Sequence, residues 1–355
     1  MSRATIADVA RIAKVSKSTV SRVLSGNTTY MREKTRDRVL SAIADLNYRP
    51  SGIARSLVSK RTHTVGLLIS DVGNPFYSDV IHGAEDVAIA HGYGLFLCNT
   101  NYDLQRGWAY IQSLIDKQVD GVLIASSSMS DEWLVELARH QIPAVVVDWN
   151  LRQVVSSSLH IITQEFETGI REAVDYLVGL GHKRLAHVSG PLELETSRIR
   201  CDAFLKALAM HGINPAQVQV VEGNLRTDGG RRAMAQLLAL PTRPSAVFAA
   251  NDLTAIGIVW AVRDHGLRVP EDISVVGLDD IQLAAEITPA LTTVALQRYE
   301  LGQTCMQKLL DLRSSQHLRP EISHSKTVSH LVVRQSTAPP RVDINGTLEC
   351  HTSSQ

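Results

Sequence analysis

Hydrophobic and polar positions follow two different textures along this chain. Over residues 5–25 the apolar residues recur at helical spacing in two short stretches, broken around residues 14–16. Ile6, Val9, Ala10 and Ala13 mark the inward stripe of a first helix, which Thr5 can cap and Asp8 supports from its first turn. Val15 plugs the turn. In the second helix Lys17, Ser18, Ser21, Arg22 and Ser25 fall within about 140° of arc, with Val20, Val23 and Leu24 opposite. A third helix is predicted over 34–46 with Val39, Ile43 and Leu46 inward. Asn47-Tyr48-Arg49-Pro50 ends it, because Pro50 pushes its predecessor out of the helical region. Residues 51–57 suffice for one or two helical turns, too few to stand alone.

From Thr64 onward fully apolar runs alternate with amphipathic stretches. The runs are 65–70, 93–98, 121–125 and 144–148, then 185–189, 246–250 and 273–277. Buried parallel strands separated by helices produce this pattern. Two successive sets predict two similar lobes, dividing near 160–163. Residues 339–355, polar and aperiodic after Pro339-Pro340, read as a frayed tail. The expected organisation is an all-α helix-turn-helix headpiece (1–50), a linker (51–61), a two-lobed α/β core of doubly wound parallel sheets (62–338) and the tail.

Charge sharpens this division. The whole chain is neutral, yet residues 1–61 carry a net +9 and the remainder −9. A basic head on an acidic body is the electrostatic footprint of a nucleic-acid binder, and a helix with one basic, hydroxylated face suits the major groove. Cys98, Cys201, Cys305 and Cys350 lack metal-ligand spacing, so thiols in a reducing cytosol are expected, with neither metal nor cofactor. No apolar leader or membrane-length apolar stretch is present, and a cytoplasmic protein is expected.

The motifs occur in a specific order. Residues 5–24 are followed by Asn47-Tyr48-Arg49-Pro50…Ala54-Arg55-Ser56-Leu57, Gly66-Leu67-Leu68-Ile69 and Asn74-Pro75-Phe76-Tyr77. Asp120-Gly121, Asp148-Trp149, Gly181-His182, Ser189-Gly190-Pro191, Asn251-Asp252, Val275-Val276-Gly277-Leu278-Asp279-Asp280 and Leu291-Thr292-Thr293 come later. On these residues the chain resembles the lactose/galactose-repressor family of bacterial transcription regulators over residues 3–338. Gly92-Tyr93-Gly94-Leu95, Cys98-Asn99-Thr100 and Gln105-Arg106 bring it nearest the ribose- and purine-repressor branch. The resemblance implies a hinge helix after the headpiece and a periplasmic-binding-protein-like core that closes on a small effector. It also implies a homodimer on palindromic double-stranded operator DNA.

By that resemblance Lys17, Ser18 and Arg22 reach base edges, with Arg22 the main source of discrimination. Thr5, Ser16, Thr19 and Ser21 suit phosphate contacts that fix register. Leu57 is the apolar wedge for the minor groove, and Ala54 allows close approach. The effector site is expected between the lobes at Asn74, Phe76, Tyr77, Asp148, Trp149, Arg200, Asn251, Asp252, Asp279 and Gln297. Arg200 is placed on the first helix of the second lobe, and Gln297 on a crossover. Amides, carboxylates, a guanidinium and aromatic rings together suit a sugar or sugar derivative, and Arg200 could also meet a carboxylate or phosphate. His182 is expected to be structural.

Several positions depart from the family pattern. Arg32 replaces the serine cap of the third helix, and residues 28–31 hold an extra residue. Leu225 stands where the ribose and purine branch has an aromatic residue, and Thr163-Gln164 replaces an acidic-Asn pair. The tail offers only Leu348 toward the leucine heptad of the family's tetramers. Gly-x-Gly-x-x-Gly after a strand, a P-loop and a nucleophile elbow are all missing, and Asp279-Asp280 is a lone carboxylate pair. An enzyme or a free sugar-binding protein on the same fold is therefore disfavoured. The effector's sign stays open between sugar inducer and purine-type corepressor, and the Asn74–Tyr77 motif favours the sugar.

Overall fold

The helical periodicity of the N-terminal region forms three helices among the described residues: α1 (Ile6–Ala13), α2 (Lys17–Leu24) and α3 (Glu33–Asp45). The computed structural model describes residues 4–25, 31–48, 61–149, 158–314 and 323–341. It divides into two compact units, Met1–His63 and Thr64–Gln355. The hinge residues Ala54 and Leu57 lie outside the described residues.

Thr5 and Asp8 form a reciprocal capping box at the start of α1, and Lys14 closes that helix in the left-handed conformation. Val9, Ala10, Ala13, Val20, Val39 and Ala42 form the buried core of the unit, with Ile6, Val15, Val23, Leu24, Ile43 and Leu46 packed on it. Arg32 occupies the N-cap of α3 and makes no side-chain capping bond, as its chemistry requires.

The second unit contains two six-stranded sheets. The first runs in the order β11-β5-β4-β3-β1-β2. Its strands are β1 (Thr64–Ile69), β2 (Gly94–Asn99), β3 (Gly121–Ala125), β4 (Ala144–Val147), β5 (Leu159–Gln164) and β11 (Ser323–Thr327). The second runs β12-β10-β9-β8-β6-β7. It comprises β6 (Leu185–Ser189), β7 (Gln219–Glu222), β8 (Ala246–Ala249), β9 (Ser274–Asp279), β10 (Thr292–Leu296) and β12 (Ser329–Val332). Helices α4 (Phe76–Ala90), α5 (Leu104–Asp116) and α6 (Asp131–Arg139) accompany the first sheet. Helices α7 (Glu167–Gly179), α8 (Glu195–Met210), α9 (Thr227–Leu238), α10 (Asp252–Asp264) and α11 (Gln282–Glu286) accompany the second. Central strands β3, β4, β8 and β9 are buried along their whole length, which is why they read as continuous apolar runs.

The structure corrects the expected organisation at four points. The first sheet is parallel throughout, but β12 pairs antiparallel with β10 in the second. Residues 160–163 do not divide the lobes, because β5 pairs with β4 inside the first sheet and the crossing follows at Glu165-Phe166. The lobes are not successive in sequence either. The chain returns at Gln297 through α12 (Arg298–Ser314), which packs on α4, and crosses again at Val328 between β11 and β12. Gly83 faces the Tyr299 carbonyl and Gly302 the Val80 carbonyl, each at about 2.0 Å from where a Cβ would sit, so α4 and α12 pack backbone to backbone. Finally, the start of the expected tail is ordered: Arg341 pairs with Asp272 at 2.6 Å.

His182 is structural, bridging Ser245 Oγ and the Ala338 carbonyl at 2.9 Å each. Cys98, Cys201 and Cys305 are buried free thiols. No helix among the described residues is long and apolar enough to cross a membrane.

Candidate functional site

Helix α2 exposes the expected face. Lys17, Ser18, Ser21 and Arg22 are exposed, Thr19 is half-buried, and Val20 is completely buried against α1 and α3. Ser16 caps the helix by accepting from the Thr19 amide at 3.1 Å, and its hydroxyl also meets Ser18 Oγ at 2.7 Å. The N-terminal turn of α2 contains no acidic residue, so its amide dipoles and the Lys17 charge act together on an approaching phosphate. Thr5 is committed to the cap of α1, its hydroxyl donating to Asp8 Oδ2 at 2.8 Å. That bond, the Thr5 amide and Arg11 hold the Asp8 carboxyl below the usual carboxylate range.

The second candidate site is the cleft between the two sheets, at the carboxyl ends of their strands, where open α/β sheets bind ligands. It encloses about 530 Å³ of unfilled space, part of it open to solvent. Asn74, Phe76, Tyr77, Asp148, Arg200, Asn251 and Asp279 all line it. Asn74 Oδ1 accepts from the Phe76 amide at 3.0 Å, which turns the chain into α4 and leaves its NH₂ group for another partner. The Phe76 and Tyr77 rings meet edge to face, centroids 5.1 Å apart.

The charged groups converge from both lobes. Arg200 projects from α8, with its guanidinium 4.6 Å from the centre of the Phe166 ring and one nitrogen donating to the Ala250 carbonyl at 2.8 Å. It sits on the second helix of its lobe rather than the first, since α7 precedes it. Asp148 follows β4 with a left-handed backbone (φ 52°) and accepts from the Gln164 amide at 2.6 Å and Gln164 Nε2 at 2.7 Å. Burial pushes its carboxyl up to about 6, against those two donors and the Arg200 charge. Asp279 ends β9, is 2% exposed, and its Oδ1 has no donor among the described residues. Burial raises this carboxyl as well, with Arg200 opposing and buried Asp252 reinforcing the shift. One guanidinium thus shares the cleft with two desolvated carboxyls, and its charge acts on both. An uncharged ligand rich in hydroxyls satisfies both signs, because each hydroxyl donates to one group and accepts from another.

Three expected residues lie elsewhere. The Trp149 indole turns away and donates to Asp131 Oδ1 at 2.7 Å. Asp252 is fully buried, accepting from the Ile281 amide at 2.8 Å and from the Thr293 hydroxyl. Gln297 is exposed on the crossover between β10 and α12. Asn251 lines the cleft while also capping α10 through the Thr254 amide at 2.9 Å.

Sequence reasoning did not single out Tyr102, Ser126, Ser127 and Thr196. It marked Gln164 and Leu225 only as departures, and both line the cleft. Leu225 is held at φ 61°, its carbonyl accepts from Asn251 Nδ2 at 3.0 Å, and Gly190 leaves the room its side chain fills.

Comparison with known proteins joins the two sites. Residues 5–51 match the description "Bacterial regulatory proteins, lacI family", and residues 174–337 match "Periplasmic binding protein-like domain". The chain is 34% identical over 338 residues to the HTH-type transcriptional repressor PurR of Aliivibrio salmonicida (strain LFI1238), covering 92% of this chain and 100% of that protein. It is 39% identical over 308 residues to the ribose operon repressor of Escherichia coli (strain K12), covering 86% and 92%. Among solved structures it is similar to the Lac repressor dimer bound to operator and the anti-inducer ONPF. That match has a TM-score of 0.83 and 29% identity, covering 95% of this chain and 100% of the other.

Proposed function

Because this chain belongs to the lacI family of bacterial regulatory proteins and is a DNA-binding transcriptional regulator, we propose that it is a cytoplasmic, homodimeric repressor of carbohydrate-utilisation genes. A sugar bound in its cleft relieves the repression. Lys17, Ser18 and Arg22 read base edges in a palindromic operator, one headpiece per half-site, while Ser16, Thr19, Ser21 and the α2 amides set the register on phosphates. Thr5 contributes by fixing α1 rather than through an uncommitted hydroxyl. Ala54 and Leu57 serve the minor groove in this reading.

The observation that carries the effector assignment is the convergence on one cleft of the Arg200 guanidinium, the buried carboxyls of Asp148 and Asp279, the Asn74 amide and the Phe76 and Tyr77 rings. The polar groups bind hydroxyls and the rings pack on C–H faces. Leu225 lines the same cleft where the ribose and purine branch has an aromatic residue, so it supplies an aliphatic contact in place of a stacking ring. Ribose is the first candidate, from the likeness to the ribose operon repressor. A purine corepressor is the second reading, favoured by the likeness to PurR over 92% of the chain.

A thermal-shift screen of pentoses, hexoses, sugar acids, sugar phosphates and purines tests the assignment, since binding to the folded form raises Tm. The expected result is a shift with neutral sugars that Asp279→Ala abolishes. A shift with purines alone replaces the inducer by a corepressor. A shift with sugars that persists undiminished in Asp279→Ala refutes the site.

A further inference from the structure

We propose that Arg226, with Asp71 and Asn101, is a latch that holds the two lobes together at the sheet edges farthest from the strands that connect them. The topology sets its position. The three crossings between lobes occur at Glu165-Phe166, Gln297 and Val328, and they serve β5 and β11 on one sheet and β10 and β12 on the other. Those strands lie at one edge of each sheet. Asp71 follows β1 and Asn101 follows edge strand β2, while Arg226 follows edge strand β7. A contact there acts at the longest lever arm against opening about the crossings.

Both halves of the latch are built in advance. Asp71 Oδ1 is held by the Gly73 amide at 2.9 Å, which leaves Oδ2 to accept from Arg226 Nε at 2.8 Å. A second guanidinium nitrogen donates to Asn101 Oδ1 at 2.7 Å. On the other side, the Arg226 amide donates to Asn224 Oδ1 at 3.1 Å, fixing the approach to α9. Asn101 and Tyr102 are consecutive non-glycine residues in the left-handed region, a costly conformation that surrounding contacts must hold. It presents the Asn101 amide to Arg226 and the Tyr102 ring 6.0 Å from its guanidinium. The Asp71 side chain is only 12% exposed, so solvent screens the pair less than an ordinary surface ion pair. The surface pairs Arg231–Asp264 and Arg232–Asp228 lie within one lobe and have no such role.

The latch raises the population of closed core before any effector arrives. Effector affinity scales with that population, a consequence that rests on the cleft reading above. Hydrogen exchange on the full-length protein without ligand tests the latch itself. In Arg226→Gln and in Asp71→Asn, amides of residues 71–77 and 222–228 should exchange about three- to tenfold faster, with the double variant no faster than either single. Arg231→Gln should leave them unchanged, and the reversed pair Asp71→Arg with Arg226→Asp should restore protection. Unchanged exchange in Arg226→Gln, a uniform rise across the whole core, or additive effects in the double variant would each overturn the latch. Calorimetry with D-ribose then separates the two claims: its Kd should rise in Arg226→Gln in proportion to the lost fraction of closed core. Altered exchange with no sugar binding to the wild type leaves the latch standing and removes the sugar reading.

Discussion

His187 offers the sharpest physical test of the core that carries the cleft. It lies on β6, fully buried, with its ring stacked 5.6 Å from Phe248 and tilted 5.2 Å from Phe204, centroid to centroid. Nδ1 donates to the Phe248 carbonyl at 2.9 Å, so Nε2 is the unprotonated nitrogen, and it has no partner among the described residues. Burial pushes the imidazole down to about 4 from 6.5, and the Arg200 charge adds to the shift. Between those values the unfolded chain binds more protons than the folded one. Stability therefore rises with pH across that window and is lost as pH falls from about 6.5 to about 4. At 1.36 kcal/mol per unit the full window is worth about 3 kcal/mol, a large share of the ~5–15 kcal/mol that hold a domain folded. His187→Phe keeps the stacked ring and removes the titration. It costs roughly 1 kcal/mol through the abandoned Phe248 carbonyl, but that cost is independent of pH and cancels in a difference. Urea unfolding followed by tryptophan fluorescence from pH 7 to pH 4 should show the wild type losing about 3 kcal/mol more than the variant. Parallel pH profiles would refute the reasoning.

Four further outcomes follow from individual contacts. Effector affinity should rise with pH as the raised carboxyls of Asp148 and Asp279 ionise and become better acceptors for ligand hydroxyls, which calorimetry from pH 5 to pH 8 checks. Asp252→Ala strands the Ile281 amide and the Thr293 hydroxyl in the core and should cost about 3 kcal/mol of core stability, measured by urea unfolding. Ser16→Ala removes the α2 cap and should cost about 1 kcal/mol of headpiece stability by thermal unfolding. Arg22→Ala should weaken operator binding by about 1–3 kcal/mol and relax a single base position, whereas Thr19→Ala should weaken all sequences together, as a competition assay over single-base operator variants will show.

The headpiece was almost fully legible from sequence because its periodicity, caps and charge agree. Val9, Ala13, Val20 and Val39 are buried as the 3.6-residue pattern requires. The central strands were equally plain, being buried on both faces. Edge strand β2 shows as the run 93–98, but two other edge strands do not: β7 (Gln219–Glu222) is half-exposed, and β11 (Ser323–Thr327) is polar in sequence, so neither makes an apolar run. Interior strands β5 and β10 are missed as well, because His160, Thr163, Thr292 and Thr293 interrupt their apolar residues. The triple crossing was not legible either, since the apolar residues of α12 do not reveal which lobe they will bury against. In the cleft, polar residues at strand ends were the useful signal, but it could not say which way a side chain turns. Asp148 and Trp149 are neighbours at the end of one strand, and only Asp148 faces the cleft while Trp149 reaches Asp131. Asn251 and Asp252 divide the same way, one at the cleft and one inside the core. Tyr102 and Ser126 reach the cleft through folding alone, with no local motif to announce them.

Control of DNA binding from the cleft is the central claim, and a titration of full-length protein onto its selected palindromic operator, by fluorescence anisotropy at fixed salt, tests it most directly. Repeated with a saturating sugar whose binding is confirmed by calorimetry, it should show operator affinity falling by at least about tenfold, with operator DNA weakening sugar binding by the same factor. An operator affinity that stays constant while the sugar is demonstrably bound would contradict the account.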